Sequence, residues 1–142
     1  MRNYLLWVVR VTGLDEGSLK NAIIAGVSSA IGSAIATSLR EGGWRGVGTE
    51  RGKQRPELGN DNWPTYVCDF SQAPSVEFAV ASILEHHEAW DLLVVCPGTM
   101  EPIGKFSEVS FESWADSFEV NFVNQLRFVR GLIPLARSES SS

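Results

Sequence analysis

The residues of this chain with the clearest chemical potential are two glycines and two serines placed between an apolar run and a helical pattern. Gly26, Ser28, Ser29 and Gly32 follow the apolar segment Ala22–Ala25. A glycine permits a tight turn, and a helix that begins near Ser29 would direct unpaired N–H groups and its positive dipole end out of that turn. This arrangement predicts a phosphate site, with a dinucleotide pyrophosphate as the natural ligand. Ser28 or Ser29 would either cap the helix or contact phosphate directly.

A second candidate for ligand binding is the charged pair that ends the next apolar stretch. Glu50 follows Gly26 at close to the ~20-residue spacing at which an acidic side chain meets the adenosine ribose of NAD. A carboxylate there accepts hydrogen bonds from ribose hydroxyls and repels a 2′-phosphate. Arg51 would instead attract that phosphate. The alternative interpretation is that Glu50 and Arg51 are a solvated pair of loop residues with no role in binding. The predicted cofactor is NAD or NADP, with NAD slightly favoured by Glu50.

Alternating strand and helix patterns must position these residues. Buried apolar runs alternate with segments of 3.6-residue periodicity, which predicts an α/β fold with a doubly wound parallel sheet, Rossmann-like and truncated. The predicted strand order is 3-2-1-4, counted from Ala22–Ala25, with helices on both faces. The strands are predicted at 22–25, 44–49, 65–68 and 91–96, and the helices from Ser29 to Gly42, from Ser71 to His87 and from Ser110 to Pro134.

The length and composition predict one folded domain with two less regular ends. The chain has 142 residues, of which 44% are hydrophobic and 20% charged, as in an ordinary globular domain. Residues 20–137 are expected to form a dinucleotide-binding domain and 138–142 a disordered tail. Residues 1–19 are a leader of uncertain structure, in which Tyr4–Thr12 is either an extra strand or disordered.

Charge, cysteine usage and histidine placement exclude several classes of function. A net charge of −5 makes nucleic acid and anionic membranes poor partners, and no apolar run reaches the length of a membrane span or resembles a signal peptide. Cys68 and Cys96 each follow a strand pattern, which favours reduced, buried thiols and a cytoplasmic location. Adjacent helical residues diverge, so His86 and His87 do not suggest a metal site, and none is predicted.

Over roughly residues 20–135 the chain resembles the short-chain dehydrogenase/reductase family. The family's cofactor turn, Thr-Gly-x-x-x-Gly-Ile-Gly, corresponds here to Ala-Gly-Val-Ser-Ser-Ala-Ile-Gly, ending in Ile31 and Gly32. Ala30 replaces the middle glycine and adds a methyl group near the pyrophosphate. The resemblance implies that Asp69, after the third strand, bonds the adenine amino group, and that Phe70 lies beside the ring.

Two further segments carry the resemblance with less complete matches. The family's Asn-Asn-Ala-Gly after the fourth strand is Val-Cys-Pro-Gly here, so that only Gly98 is retained and its backbone could line a ribose. Asn121, in Glu-Val-Asn-Phe, corresponds to the helix asparagine that holds a water on the family's proton-relay path. This implies a supporting catalytic role for Asn121. A solvated polar stripe with Ser117, Asn124 and Gln125 is the alternative.

The family's chemistry depends on a Ser and a Tyr-x-x-x-Lys that have no counterpart in this sequence. The tyrosines are Tyr4 and Tyr66, and neither is followed by lysine four positions on. The resemblance therefore implies the NAD(P)-binding portion of an oxidoreductase that is catalytically incomplete in this chain. The alternatives are a non-enzymatic dinucleotide-binding or protein-interaction module, or another α/β nucleotide or methyl-donor fold. No Gly-Lys-Ser/Thr follows Gly26, which excludes a P-loop NTPase.

An apolar face on the last predicted helix suggests association. Trp114, Phe118 and Phe122 recur at helical spacing, and in the family this helix packs on later segments or on another subunit. Without those partners, this face and the edge of the strand at 91–96 would be uncovered. We expect that Tyr4–Thr12 pairs with a sheet edge, or that a homodimer forms through the helix at 110–134.

Overall fold

The computed structural model describes residues 7–10, 19–52 and 63–138. Most of the predicted leader, residues 53–62 and the predicted tail from 139 onward lie outside the described residues. The strands are β1 (Trp7–Arg10), β2 (Asn21–Ala25), β3 (Arg45–Glu50), β4 (Thr65–Val67) and β5 (Leu92–Val95). The helical segments are α1 (Ala30–Glu41), α2 (Ala73–His86), α3 (Phe111–Phe118), a π-helical turn (Glu119–Val123), α4 (Asn124–Leu132) and a 3₁₀ turn (Ile133–Leu135).

Five strands form one sheet in the order β1-β5-β2-β3-β4. The four strands from β2 onward are parallel, so the predicted order 3-2-1-4, counted from β2, is confirmed. Ile24 of β2 pairs with Gly48 of β3 on one side and with Val94 of β5 on the other. The carboxyl ends of the parallel strands therefore meet at one edge of the sheet, where the turns predicted to bind a ligand also lie.

Helices cover both faces of the sheet, as predicted. Residues of a strand point alternately to opposite faces, so that Ile24 and Val94 pack with α1 while their neighbours Ile23 and Leu93 pack with α2 and α4. A Cβ on Gly131 would lie 2.6 Å from the Cγ1 atom of Val80, so this glycine lets α4 approach α2 closely. Burial on both sides explains why the strands read as continuous apolar runs.

The outer edge of β5 is shared by two segments. β1 pairs antiparallel with it, from Trp7 opposite Val95 to Arg10 opposite Leu92. The leader thus supplies a strand within Tyr4–Thr12, one of the two alternatives left open by the sequence. Ala136 forms a parallel bridge with Trp90, and the Trp90 N–H donates to the Leu135 carbonyl at 2.9 Å. The next N–H along the chain, that of Asp91, donates to the Asn21 carbonyl of β2. Because successive N–H groups of a strand point to opposite sides, the Ala136 segment lies on the same edge as β1.

The predicted long helix from Ser110 to near Pro134 is present as consecutive helical segments, but it is not α-helical throughout. Ser110 does cap α3, since its Oγ accepts a hydrogen bond from the Ser113 N–H at 3.2 Å. The helix then widens into the π-helical turn and narrows to a 3₁₀ turn after α4. The π-helical turn contains Asn121, whose side chain is drawn to a loop outside the helix, as described below. Among the described residues, no helix has the length and apolarity needed to cross a membrane.

Candidate functional site

The turn between β2 and α1 has the geometry expected of a phosphate-binding turn. Gly26 has φ +78°, a left-handed conformation that favours glycine, and its N–H donates to the Thr49 carbonyl at 3.0 Å. Ser29 is the N-cap of α1, because its Oγ accepts from the Gly32 N–H at 3.0 Å and donates to the Gly26 carbonyl at 2.8 Å. A Cβ on Gly32 would lie 2.1 Å from that same carbonyl oxygen. The second glycine therefore lets the helix start directly against the turn.

The cap leaves donors of the first helical turn available for a ligand. Ser29 satisfies the N–H of Gly32 through its hydroxyl and that of Ser33 through its carbonyl, at 3.0 and 2.8 Å. The N–H groups of Ala30 and Ile31 have no acceptor within the helix. These two donors and the positive end of the helix dipole favour an anion at this position. Ser28 is exposed beside them.

A cleft of about 560 Å³ opens at the carboxyl ends of the parallel strands. It brings together most of the site residues predicted from the sequence. Thr99, Ser113, Asp116 and Ser117 line its far side. The predicted residues that line it are Gly26, Ser28, Ser29, Glu50, Arg51, Asp69, Phe70 and Gly98.

Three predicted residues lie outside the lining of the cleft. Ile31 packs against the apolar cluster between α1 and the sheet, so its side chain is structural. Gly32 is buried behind the turn, and its contribution is the close contact with Gly26 described above. Asn121 reaches the cleft through Thr99 and Ser117, two lining residues to which it is hydrogen-bonded.

The charged residues at the ends of β3 and β4 form a partly exposed group on one side of the cleft. The Oδ1 atom of Asp69 accepts hydrogen bonds from the Ser71 hydroxyl and N–H at 2.7 and 2.9 Å, while Oδ2 lies 3.8 Å from Nε of Arg51. Burial acts to raise the pKa of the Asp69 carboxyl, but the Ser71 hydrogen bonds and the Arg51 charge bring the net pKa below its usual value. Glu50 is only 6% exposed, whereas the Arg51 side chain is 82% exposed.

The side-chain amide of Asn121 is fully used in holding the loop after β5. Its Oδ1 accepts from the Thr99 N–H at 2.8 Å, and its Nδ2 donates to the Thr99 carbonyl at 2.9 Å and to the Ser117 hydroxyl at 3.2 Å. A Cβ on Gly98 would lie 3.2 Å from the Asn121 Oδ1. Asn121 therefore fixes one wall of the cleft, and its role in a proton relay stays a prediction.

Two further amides hold cleft walls and were not predicted as site residues. The Nδ2 of Asn124 donates to the Phe70 carbonyl at 2.8 Å, and the Nε2 of Gln125 donates to the Pro97 carbonyl at 2.6 Å. Both side chains are 1% exposed, so the solvated polar stripe considered as an alternative does not exist at these positions. Asn124 and Gln125 follow Asn121 by three and four residues and therefore share its helix face. The signal in the sequence that could have identified them as site residues is the presence of polar amides in the interior of a helix.

Tyr66 is the tyrosine within the described residues, and it is not placed to act as an acid in the cleft. Its hydroxyl lies 2.8 Å from Nε2 of His87, away from the residues that line the cleft. Burial, followed by the charge of Glu85, raises the pKa of the Tyr66 hydroxyl. Burial, followed by the charge of His86, lowers the pKa of His87 and so favours the neutral form of its ring. No group of three or more potential metal ligands occurs in the described part of the chain.

Both cysteines are free and buried, as predicted. Burial, with a further contribution from the Asp69 charge, raises the pKa of the Cys68 thiol to about 12. Burial raises the pKa of the Cys96 thiol to about 11. Thiols with these pKa values are poor nucleophiles at neutral pH, so neither is a candidate catalytic group.

A larger open groove of about 970 Å³ lies at the opposite edge, where the parallel strands begin. Trp44, Trp63 and Arg40 are among its lining residues, and the Arg40 guanidinium stands 5.8 Å from the Trp63 ring centre. It contains none of the predicted site residues. The cleft at the carboxyl ends is therefore the candidate site, because it holds the helix N-terminus and the convergent polar groups.

Comparison with known families gives a match over most of the chain. Residues 20–141 match the short chain dehydrogenase family. An uncharacterized oxidoreductase of Staphylococcus haemolyticus is 26% identical over 125 residues, which are 84% of this chain and 54% of that protein. An NADPH-dependent pterin aldehyde reductase of Arabidopsis thaliana is 28% identical over 122 residues, 82% of this chain and 50% of that protein. The chain thus spans about half the length of the curated relatives it matches.

Solved structures show the same fold. A double mutant of the Serratia marcescens short-chain dehydrogenase/reductase superposes with a TM-score of 0.71 at 21% identity, over 83% of this chain and 52% of that one. The NADH-dependent reductase A1-R′, solved in complex with NAD, superposes with a TM-score of 0.73 at 17% identity, over 82% of this chain and 52% of that one.

Proposed function

Since this chain belongs to the short-chain dehydrogenase family, we propose that it binds a nicotinamide dinucleotide in the cleft at the carboxyl ends of β2 to β5. The observation that carries the proposal is the β2–α1 turn. Ser29 caps the helix and Gly32 abuts the Gly26 carbonyl, which leaves the Ala30 and Ile31 N–H groups as donors at the cleft. Such donors at a positive helix end suit a pyrophosphate, and the Ala30 methyl is exposed rather than buried against the turn.

The remaining cleft residues have roles that suit the two ends of a dinucleotide. Glu50 would accept hydrogen bonds from the adenosine ribose, and Asp69 would accept one from the adenine amino group. Phe70 is 4% exposed and its ring packs 5.5 Å from that of Phe128, so it would contribute a wall rather than a free stacking face. The backbone at Gly98 would line the second ribose. A bound nicotinamide would supply the hydride chemistry of an oxidoreductase.

The charge of the cleft supports a preference for NAD over NADP. Among the described lining residues, Glu50, Asp69, Glu101 and Asp116 carry carboxylates and Arg51 carries a guanidinium. Arg51 stands 3.8 Å from the Asp69 carboxylate, which offsets part of the charge that would attract a 2′-phosphate. The additional negative charge of NADP therefore meets a largely acidic cleft.

In this proposal, the chain binds the cofactor but does not turn over a substrate by itself. The side chain of Tyr66 is committed to His87, and neither tyrosine of the sequence is followed by lysine at the fourth position. Without the tyrosine and lysine that the family uses to exchange a proton with the substrate oxygen, hydride transfer to a carbonyl would be very slow. The buried free thiols fit a reducing compartment, and we place the protein in the cytoplasm.

Fluorescence titration of the full chain with NADH and with NADPH tests this proposal. We expect saturable binding of both, tighter for NADH, with a difference that narrows as added salt screens the carboxylates. Ser28→Glu should weaken binding of both because it places a carboxylate beside the pyrophosphate donors. Ser38→Glu, at an exposed position near the other end of α1, adds the same charge as a control. Absence of binding below millimolar concentrations would refute the proposal, and turnover of any carbonyl substrate by pure protein would refute its catalytic part.

A second role, as a protein-interaction module, is supported by the uncovered apolar side of α3 and α4. Phe111, Phe118 and Leu126 are 85%, 59% and 45% exposed. An apolar surface of this kind is a typical association site, and a homodimer through the 110–134 segment is the proposed partner arrangement. Light scattering over a range of concentrations should show a dimer that Phe118→Glu disrupts. Phe78→Glu, on a 74% exposed residue of α2, is the matched control, and a monomer at all concentrations would contradict the homodimer.

A further inference from the structure

One helix face holds two segments of the cleft by three side-chain amides. Asn121 holds Thr99, Asn124 holds the Phe70 carbonyl and Gln125 holds the Pro97 carbonyl. We infer that Asn124 and Gln125 are positioning residues for the dinucleotide, because they fix the two outer walls of its cleft relative to one another. The inference rests on the proposed function for the identity of the ligand.

The two amides reach opposite sides of the site. Phe70 follows β4 and Pro97 follows β5, and these are the outer strands of the four parallel ones, with β2 and β3 between them. Both residues line the cleft. α4 crosses behind the sheet and thereby ties the adenosine wall to the wall beyond Gly98 through adjacent residues of one helix. A shift of either wall would change the distance between the groups that contact the two ends of a dinucleotide.

The contact made by Asn124 is a buried and specific one. Its Nδ2 donates to the Phe70 carbonyl at 2.8 Å, and its Oδ1 accepts from Nε of Arg127 at 3.2 Å. Arg127 in turn forms an ion pair with Glu77 of α2 at 2.8 Å. The amide orientation is thus fixed from both ends, and the carbonyl that it holds is next to Ser71, which orients the Asp69 carboxylate.

Gln125 is placed in a way that folding stability alone does not favour. Its Nε2 donates to the Pro97 carbonyl at 2.6 Å, while its buried Oε1 has no hydrogen-bond partner among the described residues. A buried acceptor without a partner is destabilising, and an apolar side chain of similar length would avoid this. Proline has no N–H, so the Pro97 carbonyl is the backbone polar group through which this residue can be held. The contact therefore serves the position of the loop.

Substitution of Gln125 separates positioning from stability. Gln125→Met keeps the length of the side chain, removes the unpaired acceptor and removes the donor to Pro97. We expect the variant to unfold at the same or a higher temperature than the wild type, yet to bind NADH roughly 3- to 10-fold more weakly, the effect of one lost hydrogen bond. Peptide-level hydrogen exchange over residues 98–103 should become faster, because the loop has lost one of its two anchors.

Two companion variants complete the experiment. Asn124→Leu should weaken NADH binding similarly and accelerate exchange over residues 70–72. Leu132→Ala, on the same helix but remote from both loops, should lower the unfolding temperature without changing NADH affinity. Equal NADH affinity of Gln125→Met and wild type, or an equal loss in Leu132→Ala, would overturn the inference. If the wild type binds neither dinucleotide, the proposed function fails. In that case, unchanged hydrogen exchange at residues 98–103 in Gln125→Met would show that Gln125 does not hold the loop after β5, and would overturn the inference by itself.

Discussion

At Gly32 the absence of one methyl group decides how the helix meets the phosphate turn. A Cβ there would lie 2.1 Å from the Gly26 carbonyl oxygen, a backbone atom that cannot move without opening the turn. We therefore expect Gly32→Ala to destabilise the protein by about 1–3 kcal/mol and to abolish dinucleotide binding. Thermal unfolding and NADH titration of the variant measure the two effects.

Gly42→Ala provides the comparison at the other end of α1. Its Cβ would lie 3.4 Å from the Leu39 carbonyl, an ordinary contact, and the residue has φ −80°. This substitution should change the free energy of unfolding by no more than about 0.5 kcal/mol. If both alanine variants behave alike, the close approach at Gly32 is not what positions the helix.

The two thiols make a prediction about alkaline pH. Burial raises the pKa of Cys68 to about 12 and that of Cys96 to about 11, above the values they have when unfolded. A raised pKa in the folded state gives stability that is fully present below about pH 9 and is lost as the pH rises through the folded values. Urea unfolding midpoints should thus fall between about pH 9 and pH 12, and Cys68→Ala/Cys96→Ala should flatten the fall.

Thiol reactivity offers an independent measurement of the same burial. At pH 8 a thiol reagent should modify neither cysteine in the native protein and both in denaturant, because the thiolate is the reactive form. Rapid modification of the native protein at pH 8 would mean that the thiols are not protected as the structure indicates.

At the scale of elements, the last helix shows what a sequence pattern can and cannot reveal. Its regular apolar spacing, without later segments to cover it, predicts an uncovered face, and Trp114 and Phe118 are 43% and 59% exposed. Periodicity does not reveal which surface the opposite face of the helix meets. At the cleft, the buried side chains of Asn124 and Gln125 lie against loop carbonyls, whereas Phe128 and Leu132 further along the helix pack in the apolar core.

The edge strand β1 can be tested through its backbone. Successive N–H groups of an edge strand alternate between its neighbour and solvent, so of Val8 and Val9 one donates to β5 and the other does not. Of the variants Val8→Pro and Val9→Pro, one should release the strand and expose the edge of β5, and the other should be tolerated. Light scattering would report the released edge as association of the protein. Equal behaviour of the two variants would contradict the pairing.

At the scale of the whole molecule, a buried ion pair ties the end of the described chain to the sheet. Asp91 is fully buried, accepts from Nε of Arg137 at 2.6 Å and from the Asn21 N–H at 2.8 Å. Arg137→Met would leave the carboxylate buried without its cation, and we expect a loss of about 3 kcal/mol in the free energy of unfolding. Chemical denaturation measures the loss. Asp91→Asn/Arg137→Met should lose less than Arg137→Met alone, and a larger loss would contradict this account.

The fold and the geometry of the β2–α1 turn were predictable because each depends on local signals. Ala22–Ala25 reads as a buried strand by composition, Gly26 as a turn and Ser29 as a helix cap, and the structure joins them in that way. Asn124 and Gln125 were missed because their partners, Phe70 and Pro97, are distant in sequence and offer only backbone carbonyls. A residue of any type has a backbone carbonyl, so the sequence does not show which residue a buried amide will contact.

The double occupancy of the β5 edge also has a consequence for the order of folding. β2 and β3 are close in sequence and pair with each other, whereas β5 is distant in sequence from both of its partners, β2 and β1. Closing so long a loop is entropically costly, so such contacts form late in folding. β1 would therefore stay unpaired until β5 has formed, and for the same entropic reason it would be the first strand to detach on unfolding. The Ala136 segment, in contrast, follows α4 directly in sequence and reaches the edge of β5 at Trp90.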